Sequence, residues 1–325
     1  MKFFLTIFLF TAIAQAQSPL IIDTDAGSDD FLAIAYLLSH PSVHIDAITV
    51  GNGLAHVDAG ARNLSKLVAL SGRTNLPVFR GRPTPLKATA EFPREWRKIS
   101  DELPGVNLPP SPAQSPSKGA VDYLIEHLKD QRHHVRVLAL GPLTNLAEAL
   151  QREPSVAGSI DEIVIMGGAI RVPGNLGDGG LFQTPNKTAE WNIFVDPLAA
   201  RIVFRSGIKI LLVPLDATNK VPIDLAFLEE FQAKAHSPLG LVAAQILKTD
   251  REMIQGGYFF AWDPLAAVAL LHPRVIKSSR LHIDIAQDAP EEGRTVQTPG
   301  SPNADVAMDA DAAGFRKIFL QAFQN

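Results

Sequence analysis

The chain contains no cysteine. That excludes disulfides, thiolate metal sites and a cysteine nucleophile. Any metal held by its side chains must be bound through oxygen or imidazole. None of its nine histidines lies in a His-Glu-x-x-His metal motif. An excess of charge of one sign is also missing. The formal net charge is −4 over 325 residues, so a basic surface for nucleic acid is not expected. No apolar run is long enough to cross a bilayer, so membrane insertion is not expected. The start of the chain comes nearest, with Lys2, an apolar run from Phe3 to Ile13, and then Ala14-Gln15-Ala16. This order reads as a signal peptide with a small-x-small cleavage pattern. The expectation is a signal peptide over 1–16 and an exported domain over 17–325, periplasmic or secreted.

What is present is a regular alternation. With 46% hydrophobic residues, the chain can bury a large core. Strand-like runs at Leu20–Asp23, Ile45–Val50, Val135–Leu140, Ile163–Met166 and Ile210–Pro214 alternate with helix-like runs. Those helices are expected at Asp29–Leu38, Gly60–Leu70, Leu143–Leu150 and Pro197–Ser206, and helices dominate Leu225–Leu271. Such β-α alternation predicts an α/β fold, a mainly parallel sheet covered by helices. A mixed segment closes the chain, and no internal repeat is visible. Two stretches break the pattern. Arg82–Lys118 is rich in proline and serine, and Gly167–Ala189 in glycine and asparagine. Each is long enough to form a lid or binding loop over the sheet.

The segment Asp23-Thr24-Asp25-Ala26-Gly27-Ser28-Asp29-Asp30 places four carboxylates within eight residues, directly after the first strand. Capping of the following helix explains one or two of them, not four. Mutual repulsion is relieved by a bound hard cation, Ca²⁺ or Mg²⁺. Gly27 is expected to supply the tight turn. In an open parallel sheet, ligands bind at the carboxyl ends of the strands, where this segment lies. The spacing is neither an EF-hand loop nor a P-loop. An aspartyl-phosphate phosphatase with Asp23 as nucleophile and Asp25 as acid/base is a competing reading. It requires a lysine at the phosphate.

Further segments accompany the cluster: Val50-Gly51-Asn52, Leu140-Gly141-Pro142-Leu143-Thr144-Asn145, Met166-Gly167-Gly168, Ala189-Glu190-Trp191-Asn192 and Trp262-Asp263-Pro264-Leu265-Ala266. Together, in this order from about Leu20 to Leu271, they resemble the nucleoside hydrolase family, the inosine-uridine type N-ribohydrolases. The resemblance implies a single Rossmann-like domain, the active site at the carboxyl ends of its strands, and Ca²⁺ as cofactor. It implies that Asp25, Asp30 and Asp263 ligate the ion, with the Leu140 carbonyl. Asp25 would also be general base on a calcium-bound water. Asp29, Glu190 and Asn192 would hold ribose hydroxyls, Asn52 would sit at the edge of ribose and metal, and Asp23 would lie behind the ligands. Asn175, or Asn186 in its place, would reach the 5′ side. A ribonucleoside would be the substrate and a homodimer or homotetramer the assembly. Each residue alone also has a bland meaning. Asp263 before Pro264 reads as a helix N-cap with proline at N1, and Asn145, Glu190 and Asn192 as braces.

One departure matters. Many family members carry a histidine immediately before the last calcium-binding aspartate, as acid for the departing base. Here that residue is Trp262. Trp262, with Phe92-Pro93-Arg94-Glu95-Trp96-Arg97, resembles the purine-preferring branch, in which two tryptophans enclose the base. Trp96 and Trp262 would be those walls, and Trp191 would pack under the ribose. Asn52 instead follows the pyrimidine-tolerant branch. A non-catalytic nucleoside- or ribose-binding protein that lost its acid is the remaining alternative.

Overall fold

The computed structural model describes residues 18–87, 90–110, 116–130, 134–177 and 180–324. The expected signal peptide and its cleavage point lie outside these residues, as does His133.

The main strands are β1 (Leu20–Thr24), β2 (Ile45–Val50), β3 (Val78–Arg80), β4 (Val135–Ala139), β5 (Ile160–Met166), β6 (Ile210–Val213) and β7 (Ile276–Leu281). After them come β8 (Ile283–Ile285), β9 (Thr295–Gln297) and β10 (Ala304–Ala310). One sheet has the order β3-β2-β1-β4-β5-β6-β10-β7, and β8 and β9 form a separate pair. Every neighbouring pair in the large sheet is parallel except β10 with β7. The expected α/β fold is therefore observed as one domain.

The strands form where apolar and β-branched residues run without interruption. β1 and β4 are central, and successive side chains enter opposite cores. Leu20, Ile22 and Leu138 pack into one core, whereas Ile21, Val137 and Ala139 pack into the other. On the first face lie the helices Ser28–Leu38 and Trp262–Leu271. Both are apolar on nearly every side, so both are buried between the sheet and further helices.

The structure differs from expectation at four places. The helix expected at Gly60 begins at Val57, and β5 begins at Ile160 rather than Ile163. The proline- and serine-rich stretch carries a helix, Arg94–Glu102, ended by Leu103 in a left-handed conformation at φ 44°. Finally, β10 lies parallel to β6, one strand in from the edge, although its sequence carries two aspartates; both fall at half-buried positions. The outermost strands differ. β7 is antiparallel with Lys277, Ser278, Ser279 and Arg280 exposed, and β3 is only three residues long.

The strand order reverses beside β1, whose neighbours are β2 on one side and β4 on the other. In open parallel sheets this switch opens a crevice at the carboxyl ends of the two central strands. The segments leaving β1 and β4 begin at Asp25 and Leu140.

Candidate active site

The loop after β1 is built around its own side chains. Thr24 Oγ1 donates to Asp30 Oδ1 and accepts from the Ala26 backbone N–H. The Gly27 N–H donates to Asp30 Oδ2 at 2.9 Å. Ala26, not Gly27, takes the left-handed conformation, at φ 59°. Gly27 is extended at φ −72° and is required for space, since a Cβ there would lie 2.6 Å from Leu54 Cδ2. The expectation of a turn made by Gly27 is corrected accordingly. A left-handed alanine costs about 1 kcal/mol, and such strain concentrates at functional sites.

Asp25 is fixed from three sides. Its Oδ2 accepts the Leu54 N–H at 2.8 Å. A Cβ at Gly53 would come within 2.1 Å of that oxygen, and one at Gly141 within 2.8 Å of Asp25 Cβ. Two glycine backbones therefore close around the carboxylate. Asp29 and Asp30 occupy the first turn of the helix Ser28–Leu38, where its dipole favours negative charge. Asp263 comes from the start of the helix Trp262–Leu271, whose N-cap is Ala261. The N-cap reading of Asp263 thus fails, and its Oδ1 is buried without a hydrogen-bond partner.

One oxygen each from Asp29, Asp30 and Asp263 lies within 4.8 Å of the others. Asp25 stands outside this trio, but its carboxyl interacts with that of Asp30. All four carboxyls are pushed above their ordinary range, in each case first by burial. Repulsion from neighbouring aspartates adds to the shift of Asp25, Asp29 and Asp263.

These residues face a cavity of about 310 Å³. Six carboxyls line it, from Asp25, Asp29, Asp30, Glu190, Asp250 and Asp263, and no lysine, arginine or histidine does so among the described residues. An oxygen-only donor set, the orphaned Asp263 oxygen among it, and no basic partner together fit a hard divalent cation. The same absence removes the lysine that a phosphatase would need. Asp23 is not in the cavity wall. It is buried behind it, with Oδ1 accepting from Thr49 Oγ1 at 2.6 Å and Asn145 Nδ2 at 2.9 Å. Asn145 is the brace expected of it, since its Oδ1 also accepts the Arg82 N–H.

The far wall comes from the ends of β4 and β5 and the segment after them. Glu190 caps the short helix Trp191–Val195, accepting from the N–H groups of Asn192, Ile193 and Gly168. Burial raises it to about 7 against those bonds. Asn192 Nδ2 donates to the Leu140 carbonyl at 2.9 Å and the Met166 carbonyl at 3.2 Å. A carbonyl oxygen has two lone pairs, so Leu140 keeps one. Asn175 lines the cavity, and its Oδ1 accepts the Trp191 N–H. Asn186 does not. Its side chain bonds to Glu292, Thr188 and Ala189, which makes it a loop brace. Asn52 is buried outside the cavity wall, with Nδ2 unpartnered.

Trp96 and Trp262 both line the cavity. Trp262 packs edge-on to Phe259 at 5.4 Å. Trp191 also lines it and anchors an aromatic group, stacked on Phe92 at 4.7 Å and edge-on to Trp96 at 5.7 Å. Sequence reasoning missed Thr24, Ser28, Asp250 and Tyr258 as site residues. Thr24 and Ser28 lie inside the acidic segment and were within reach. Asp250 and Tyr258 come from a helical stretch with no local mark.

Residues 20–317 match the family described as inosine-uridine preferring nucleoside hydrolase. A pyrimidine-specific ribonucleoside hydrolase, RihA, from Salmonella gallinarum is 33% identical over 323 residues, covering 94% of this chain and 98% of that protein. Among solved structures, a purine-preferring ribonucleoside hydrolase from Gardnerella vaginalis superposes with a TM-score of 0.79 at 27% identity, covering 94% of this chain and 98% of the other. A plant nucleoside hydrolase, PpNRh1, gives a TM-score of 0.80 at 27% identity, covering 94% and 99%.

Proposed function

The chain belongs to the inosine-uridine preferring nucleoside hydrolase family, whose members cleave ribonucleosides at the N-glycosidic bond, and from that premise we propose an exported, calcium-dependent enzyme that prefers purine nucleosides. The observation that carries the calcium site is the cavity itself, lined by six carboxyls and by no basic side chain among the described residues. Asp25, Asp30 and Asp263 would hold Ca²⁺, with the free lone pair of the Leu140 carbonyl. When bound, the ion makes water easier to deprotonate and takes ribose hydroxyls as oxygen ligands.

Every other part of the chemistry falls to the chain. Asp25 takes the proton of the attacking water. The Leu54 N–H and the two flanking glycines hold it in line. As the bond to the base stretches, positive charge grows on the ribose ring. Fixed carboxylates around the ring stabilise that charge. Asp29, Glu190 and Asn192 bind the hydroxyls, Asn175 reaches the 5′ side and Asn52 orders the edge of the site. Asp23 supports the strand end from behind. Fixed contacts of this kind also lower the barrier by positioning.

Purine preference is supported by Trp96 and Trp262, which both line the cavity, since an aromatic pair suits a flat bicyclic base. The pyrimidine specificity of the Salmonella relative, together with Asn52, supports the opposite preference. Release of free base from inosine, adenosine, guanosine, uridine and cytidine, followed by chromatography with added Ca²⁺, decides between them. Purine release well above pyrimidine is expected. Equal release from all five would remove the tryptophans as the source of specificity. Export is supported by the order Lys2, Phe3–Ile13, Ala14-Gln15-Ala16. The mass of the protein recovered from a bacterial host should correspond to a start at Gln17, and an intact start at Met1 would reject it. Assembly as a homodimer or homotetramer is measured by light scattering, and a monomer would reject it.

A further inference from the structure

Asp250 lies in the cavity wall, and no role above uses it. It joins two helices, following Pro238–Thr249 and preceding Arg251–Gln255. An aspartate at that place ordinarily caps the second helix. This side chain makes no capping bond. No cation faces it among the described residues; burial, the Ser28 side chain and the repelling Asp29 carboxyl are its electrostatic surroundings. Its Oδ2 is buried with no hydrogen-bond partner. Leaving a buried polar oxygen unsatisfied is costly and calls for a reason. Neither capping, pairing nor solvation supplies one.

The reaction meanwhile lacks an acid. A leaving nucleobase needs a proton as its bond to ribose breaks. The residue before Asp263 is Trp262, an indole that holds its N–H too tightly to give it up. The cavity offers few other donors. Both oxygens of Glu190 already accept backbone N–H groups. Tyr258 is 58% exposed and stands at the rim. Burial pushes the Asp250 carboxyl up to about 7, so its acid form persists near neutral pH.

We propose that Asp250, in the cavity wall and held by Ser28, is the proton donor to the departing nucleobase. This rests on the hydrolase reading above. The step balances as follows. The C1′–N bond breaks and its electron pair stays on the base. The carboxyl proton of Asp250 passes to a basic atom of the ring, leaving a carboxylate. Water oxygen bonds to C1′, and its proton passes to Asp25. After the products leave, solvent takes the proton from Asp25 and reprotonates Asp250.

The test compares two substrates in the full chain with Ca²⁺ present. Inosine needs leaving-group protonation, whereas 4-nitrophenyl riboside departs as a stable anion. Asp250→Asn should lower the ratio of kcat/KM for inosine to that for the nitrophenyl riboside by about 100-fold or more, the usual worth of a general acid. Asp250→Glu, which restores a carboxyl, should recover part of that ratio. Cleavage of the nitrophenyl substrate reports that each variant is folded. A ratio within about threefold of wild type in Asp250→Asn overturns the donor role, because a structural defect slows both substrates alike. A wild-type chain that releases base from no nucleoside defeats the hydrolase reading instead.

Discussion

Burial raises the Asp23 carboxyl to about 6, although Asn145 and Thr49 both donate to it. Its native value lies above the unfolded value, so the native state keeps the proton to higher pH. Stability from this group is complete below about pH 4 and declines as pH rises through about 6. The shift corresponds to about 3 kcal/mol at most. Asparagine at this place keeps an acceptor for both donors and has no proton to lose. Metal-free Asp23→Asn should therefore exceed the parent in stability at pH 7.5 by about 1–3 kcal/mol, with the gap closing toward pH 4. Denaturant titrations in chelator at both pH values measure this. A gap that stays constant with pH would refute the account. Trp262 is tested at the same scale. Trp262→Ala should slow inosine by about tenfold more than 4-nitrophenyl riboside, since stacking is lost along with help to the leaving base. Equal loss on both substrates would reject the wall role.

At the scale of elements, the helix Arg94–Glu102 brings Trp96 to the cavity. It is docked by Asp101. The Asp101 carboxylate accepts the His56 N–H at 2.8 Å and meets His56 Nδ1 at 2.6 Å, while Asn63 Nδ2 donates to the Asp101 carbonyl. His56 is thus a docking residue for the helix that carries the aromatic wall. Asp101→Ala should release about 1 kcal/mol of this docking. Steady-state kinetics should then show KM for purine nucleosides rising about fivefold with kcat nearly kept. A fall in kcat alone would sink the idea. The sequence marked β1, β2 and β4 clearly, because Leu20–Ile22, Ala47–Val50 and Val137–Ala139 are apolar or β-branched runs buried on both faces. It hid the helix Arg94–Glu102, because only Ser100 in it is buried and prolines flank it. The acidic segment was legible since four carboxylates have no cheaper purpose. Asp250 was not. Its meaning comes from Ser28, brought beside it by packing between distant helices.

For the molecule as a whole, the site holds charge that the fold does not neutralise. Folding buries carboxylates from the starts of two helices, at Asp29, Asp30 and Asp263, without a basic partner in the cavity among the described residues. A cation that binds only the native state stabilises it by mass action. EGTA should stop base release and lower the thermal midpoint, and Ca²⁺ should restore both. At a hundredfold excess over Kd the bound ion is worth about 3 kcal/mol of stability. A midpoint and rate indifferent to chelation would exclude a working calcium.

The borders of the large sheet bear on how copies of the chain can meet. β7 presents Lys277 and Arg280 to solvent, and β3 offers only three residues. Charged or very short outer strands resist docking by a strand from another molecule. A sheet continued from one copy into the next is thereby disfavoured, and with it the route to open-ended fibres. Any meeting of copies is thereby directed to helix and loop surfaces.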